Sequence, residues 1–172
     1  MLDLCVAANH LRYCKLDIQI GGTMKRTITV AMYLWAGAFA SDALAGPAEE
    51  ANAVIDKWSA TYTANDRDAL VGLYAPDAVL LGTTSPVISE GTEGIRKYFQ
   101  ELPGSGRKNV IVERRMIILS ETSVVGTGFY NFARAAENDT PRPSRFTFVV
   151  VKRDGRWVIA HHHSSPLSSS RR

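Results

Sequence analysis

The chain has 172 residues, 45% of them hydrophobic and 22% charged, with a formal net charge of +3. That is the composition of an ordinary soluble globular protein, most simply one folded domain. From residue 46 onward, 16 Lys and Arg are interspersed with 14 acids, leaving +2 and no basic stripe, so no nucleic-acid partner is expected.

The N-terminal 45 residues differ from the rest. Met24-Lys25-Arg26 is a basic start, residues 28–40 form a run of 13 that is almost wholly apolar, and Ala43-Leu44-Ala45 is a small-x-small cleavage signal. We read a secretory signal peptide that starts at Met24 and is cut after Ala45, behind an upstream extension of residues 1–23. This places the mature protein in the periplasm or outside the cell. The run falls short of the roughly 20 residues that cross a bilayer, so no stable membrane span is expected. Cys5 and Cys14 both precede Met24, which leaves the mature chain without a disulfide framework or a thiol nucleophile.

In chain order, Ala51, Val54, Ile55, Trp58 and Tyr62 recur at helical spacing and predict a first amphipathic helix. Asn65-Asp66 offers an N-cap for a short second helix, in which Leu70, Leu73 and Tyr74 continue the period until Pro76. A compact strand at residues 78–81 and a brief one at 87–88 follow. Thr92 then caps a third helix with Ile95, Tyr98, Phe99 and Leu102 on one face, stopped by Pro103-Gly104. Residues 110–119, 124–134, 145–151 and 157–164 are rich in Val, Ile, Phe and Thr with turn residues between them. Helices first and a four-stranded meander after them indicate an α+β fold, helices on one face of the sheet. Residues 167–172 are read as a disordered tail.

The last hairpin carries the most chemistry. Asp154-Gly155 joins two β-branched and aromatic runs. Side chains alternate along a strand, so His161 and His163 should share a face with Trp157 and Ile159 while His162 takes the other. Two imidazoles about 7 Å apart on one face can share a ligand, and either can act as a base near neutral pH. The register is open. A two-residue loop sets Phe148 opposite His161, whereas a three-residue loop with an αL glycine sets Arg145 opposite His163 and adds a cation to the pair. The Arg-Asp-Gly sequence favours the second.

The order of elements, together with Lys152-Arg153-Asp154-Gly155-Arg156-Trp157 and the His161-x-His163-Ser164-Ser165 ending, resembles the NTF2-like superfamily over about residues 47–166. Similar members are the SgcJ/EcaC and SnoaL-like proteins and the calcium/calmodulin-dependent protein kinase II association domain. The resemblance implies a cone: three N-terminal helices packed on a curved antiparallel sheet around a cavity, often dimeric through the convex sheet face. The arginines that line the cavity of the kinase domain are replaced here, Phe148 and Asn131 standing at two of those positions. That domain's acidic-ligand site is therefore not carried over, although Arg134 and Arg145 are near in sequence.

Put together, these readings give a domain over residues 46–166 that binds a small, largely apolar molecule with a polar or anionic end. His161, His163 and Arg145 are expected at that end, and Trp58, Tyr62, Tyr74 and Phe99 are expected to wall the rest. The alternatives are a noncatalytic homo-oligomeric association module, resting on Val125, Phe129 and an alternate set of Val149 and Val151, and a SnoaL-like isomerase, hydrolase or oxidoreductase. No nucleotide loop, nucleophile elbow or metal-binding helix occurs, so neither cofactor nor metal is implied. NTF2-like isomerases and epoxide hydrolases rely on buried carboxylates. This chain offers Asp77 after the second helix and Glu113 between arginines, neither of which marks an enzyme.

Overall fold

The computed structural model describes residues 7–8, 11–12 and 45–167. Ala7–Ala8 (β1) and Leu11–Arg12 (β2) pair as a minimal antiparallel hairpin in a unit of their own. The segment read as a signal peptide, up to Leu44, and the tail at residues 168–172 lie outside the described residues.

The domain begins at α1 (Pro47–Thr63), which opens on a proline, where a missing N–H costs nothing, and has Glu49 and Glu50 in its positive first turn. Ala51, Ile55, Trp58 and Tyr62 are its buried stripe. Asp66 caps α2 (Arg67–Val71) by accepting the Ala69 N–H at 2.9 Å. This helix is shorter than its period predicts. It ends at Gly72, the Leu73 carbonyl accepts the Ile159 N–H at 2.9 Å, and Tyr74 already belongs to β3 (Tyr74–Leu81). Capture by a strand edge overrides helical spacing there.

β4 (Ile88–Glu90) and α3 (Gly91–Tyr98) follow, with Glu90 rather than Thr92 as N-cap residue. The meander is β5 (Arg107–Ser120), β6 (Ser123–Arg134), β7 (Arg142–Arg153) and β8 (Arg156–Pro166), each strand longer than its apolar run. The sheet order is β4-β3-β8-β7-β6-β5. It is antiparallel throughout except that β3 runs parallel to β8, so the expected all-antiparallel sheet is mixed. β8 ends the meander with one edge free, and β3 fills that edge in the same direction.

Two irregularities set the site. The β3/β8 register jumps from Tyr74 opposite Ile159 to Val79 opposite His161, across Pro76, which has no N–H to give a ladder. Facing that gap, β8 carries a bulge: Val150 pairs with Ile159 but Val149 pairs with His161, leaving Ala160 unpaired. Further across the sheet, Gly126 and Gly128 let β6 lie close to its neighbours. A Cβ at Gly126 would run into Ile55 of α1, and one at Gly128 into the Glu113 carbonyl at the β5 bulge.

We expect Gly128→Ala to destabilise the domain by ~1–3 kcal/mol, because the obstacle is backbone and cannot rotate away. Urea unfolding of the variant checks this, and a midpoint unchanged from wild type would contradict it.

Candidate functional site

α1 and the end of α3 stand over the concave face of the sheet and enclose a cavity of about 390 Å³. Its apolar wall comes from Trp58 and Tyr62 of α1, from Phe99 just past α3, and from Phe132 of β6. Trp58 stacks on Tyr62 at 5.3 Å between centroids, and Tyr62 meets Phe132 at 5.3 Å. The polar inner end is His162 and Ser164 of β8, Tyr130 of β6 and Thr83 of the β3–β4 loop. Three arginines, Arg107, Arg134 and Arg142, line the rim with Glu101 and Glu137 between them. Arg142 pairs with Glu137, and Arg107 lies 3.9 Å from Glu101. Arg134 donates only to the Ser105 carbonyl at 3.3 Å and has no carboxylate in ion-pair range among the described residues.

His162 is the centre of the inner end. It is 2% exposed, stacks on Phe148 at 3.9 Å and 20°, and meets the Trp58 edge at 5.0 Å. Tyr74 Oη lies 2.9 Å from its Nδ1, Tyr130 Oη 3.4 Å from its Nε2, and Trp58 Nε1 donates to Tyr74 Oη at 2.8 Å. Tyr130 donates to Ser164, which hydrogen-bonds Thr83. Burial first, then the charges of His161 and His163, push the His162 pKa well below its usual 6.5, so the ring is neutral in the fold. Burial likewise raises the phenols: Tyr62 to about 12, Tyr130 and Tyr98 upward, and Tyr74 well upward. These hydroxyls are donors and acceptors, not bases.

Trp58, Tyr62 and Phe99 stand in the cavity wall as the sequence indicates. Tyr74 lies behind the wall and meets the site through His162 and through Trp58, whose indole N–H it accepts. His161, His163 and Arg145 do not enter the cavity. The Asp154-Gly155 turn is a two-residue loop with φ of 51° and 76°, so the favoured three-residue register is wrong. The Ala160 bulge then shifts β8 by one, setting His162 opposite Phe148, His163 opposite Thr147 and Arg145 opposite Ser165. One residue of shift moves every later side chain to the other face. His161 and His163 are half-buried on the convex side, where His163 and Arg145 share a separate depression of about 320 Å³ with Thr127, Thr147 and Phe129.

His162, Tyr130, Ser164 and Thr83 are the residues that reading the sequence missed. The alternation of Phe146, Phe148 and Val150 marks the inward face of β7, but regular pairing from the two-residue turn would set Phe148 opposite His161, and only the bulge at Ala160 puts His162 there instead. Asp77 is exposed and paired with Arg153, and Glu113 is exposed and 2.9 Å from Arg115. No carboxylate is among the buried polar side chains of the described residues, and no group of His, Cys, Asp and Glu among them is arranged to hold a metal ion.

Residues 51–169 match the model of the SnoaL-like domain family. Among solved structures, a Xanthomonas campestris protein named for the calcium/calmodulin dependent protein kinase II association domain is 36% identical, covers 70% of this chain and 88% of its own, and has a TM-score of 0.64. A ketosteroid isomerase-like protein from Erwinia carotovora atroseptica is 18% identical over 70% of this chain and 96% of its own, TM-score 0.59. An NTF2-like protein of unknown function from Pseudomonas putida is 13% identical over 72% and 89%, TM-score 0.63. The last two show the shared fold alone. No curated protein matches the sequence.

Below its unfolded pKa of about 6.5 a histidine protonates when the chain is open, while neutral His162 in the fold resists. Stability should therefore be full above that pH and fall by about 1.4 kcal/mol per unit as pH drops below it, until the native ring itself protonates. His161, whose pKa is lowered by partial burial and by His163, adds in the same direction. Urea unfolding between neutral and mildly acid pH reads the slope, and His162→Gln should flatten it. The same acid slope in that variant would remove His162 as its source.

Proposed function

The chain belongs to the SnoaL-like family of NTF2-like cone domains, and from that premise we propose that it binds a small, largely apolar molecule with a polar or anionic end in its cone cavity. The observation that carries this is the division of one open-mouthed cavity into an aromatic wall, a neutral hydroxyl and imidazole end, and a rim where Arg134 has no carboxylate partner among the described residues. The wall takes apolar area from water, at ~25 cal/mol per Å². The rim holds an anionic group where solvent still reaches it, so its desolvation stays small. With no buried carboxylate beside His162 among the described residues, the arrangement favours binding over acid–base turnover of the isomerase or hydrolase type. Met24 to Ala45 supports export, with the cavity then working in the periplasm or outside the cell. Mass spectrometry of protein secreted from a bacterial host should find Gly46 as its first residue.

A panel of apolar carboxylates in differential scanning fluorimetry tests the cavity. A ligand at a hundredfold its Kd stabilises by ~2.7 kcal/mol, a rise of several degrees in Tm for a domain of this size. Arg134→Ala should weaken carboxylate binding about tenfold. His163→Ala and Arg145→Ala, on the far face, should leave it unchanged. Sensitivity to the far-face pair but not to Arg134 would reverse the assignment, and no stabilisation by any member of the panel would refute it.

A second reading, self-association, rests on the convex face. Phe129 is 42% exposed there and Ile117 50%, beside half-buried Val125 and Val149. The likeness to a protein named as an association domain supports it. Sedimentation of wild type as a dimer and of Phe129→Arg as a monomer is the expected result. A wild-type monomer at high concentration rules this reading out.

A further inference from the structure

The hydrogen bonds at the inner end of the cavity have a direction. An indole N–H can only donate, so Trp58 fixes the Tyr74 oxygen as its acceptor. The Tyr74 hydroxyl is buried, and its one remaining partner among the described residues is His162 Nδ1 at 2.9 Å. Were Nδ1 protonated, it would face the phenol with a proton on each side and leave the Tyr74 proton unpaired in the core, a cost of about 1–3 kcal/mol. Tyr74 therefore donates to Nδ1, and the neutral ring carries its proton on Nε2, the nitrogen that faces Tyr130. With that nitrogen unable to accept, the Tyr130 proton goes to Ser164 and the Ser164 proton to Thr83. The last proton belongs to Thr83, which lines the cavity next to Tyr98. The Thr83 hydroxyl has no hydrogen bond among the described residues besides that to Ser164, so its proton is free for the cavity and the series ends in a donor.

We propose that this one-way series, anchored by Trp58, makes the inner end of the cavity a hydrogen-bond donor, so that the molecule it takes enters with a carbonyl or another proton-free acceptor first. An N–H group placed there meets a proton already in position and can be accepted only by breaking the series. The chemistry of the occupant is then set at both ends: an acceptor inward, against Thr83 and Tyr98, and any anionic group outward, against the rim arginines. This inference rests on the cavity-binding reading and deepens it.

The probes are indanone and indole, bicyclic molecules of similar size, the first offering only an acceptor and the second only an N–H. Calorimetric titration of wild type should show indanone binding about tenfold more tightly than indole. Trp58→Phe removes the donor that sets the direction, and the ratio should fall towards one even if both affinities change. Nitrogen NMR of histidine-labelled wild type should find His162 as the Nε2–H tautomer, a measurement that does not depend on any variant folding. Equal binding of the two probes, a preference for indole, or an Nδ1–H tautomer would each overturn the inference while leaving cavity binding intact. Binding of neither probe, with no carboxylate bound, would instead remove the reading beneath it.

Discussion

A neutral imidazole sealed among an indole, two phenols and a phenyl ring is the constraint on which the inner architecture depends. His162 joins four elements: α1 through Trp58, β3 through Tyr74, β6 through Tyr130, and β7 through Phe148 stacked on its face. A charged ring could not stay there, because desolvating it with no counter-charge in contact would cost several kcal/mol. A purely apolar side chain would fill the volume but leave the Tyr74 hydroxyl without an acceptor and Tyr130 with Ser164 alone. Only a group that accepts on one side and donates on the other, without charge, satisfies both neighbours. A polar network of this kind specifies one packing of helix against sheet, since each alternative orphans a buried group.

That network depends on a backbone defect. The Ala160 bulge faces the stretch of β3 interrupted by Pro76, where regular pairing is already lost, so the extra residue costs the sheet little. Its consequence for the site is large. Without it His161 and His163 would enter the cavity and His162 would be outside. With it, the cavity receives one imidazole, already satisfied by two phenols, and the far face receives two half-buried imidazoles beside Arg145. Inner end and rim thus divide the work: neutral hydrogen bonding in the dry interior, cations where solvent screens them.

The aromatic half of the site was legible in the sequence. Trp58, Tyr62 and Phe99 fall on helical stripes whose apolar faces have one place to go, against the sheet, so burial and cavity lining follow from spacing. The α+β class followed as well, because helical periods come first and strand runs after. Tyr74 was assigned to the wrong element, since a strand edge outcompeted the last turn of a five-residue helix. Arg107 and Arg142 could not be singled out, because they sit on β5 and β7, strands that only the assembled sheet brings to one rim.

By itself, then, the sequence determined the order of helices and strands, which aromatic rings are inside, and where the final hairpin turns, since local period and turn chemistry fix these. Tertiary structure alone decided the parity of β8. A bulge has no signature in the strand that carries it. Its position is set by the pairing of β8 with β3, some 80 residues earlier in the chain, and so which histidine meets the cavity is a property of two strands in contact.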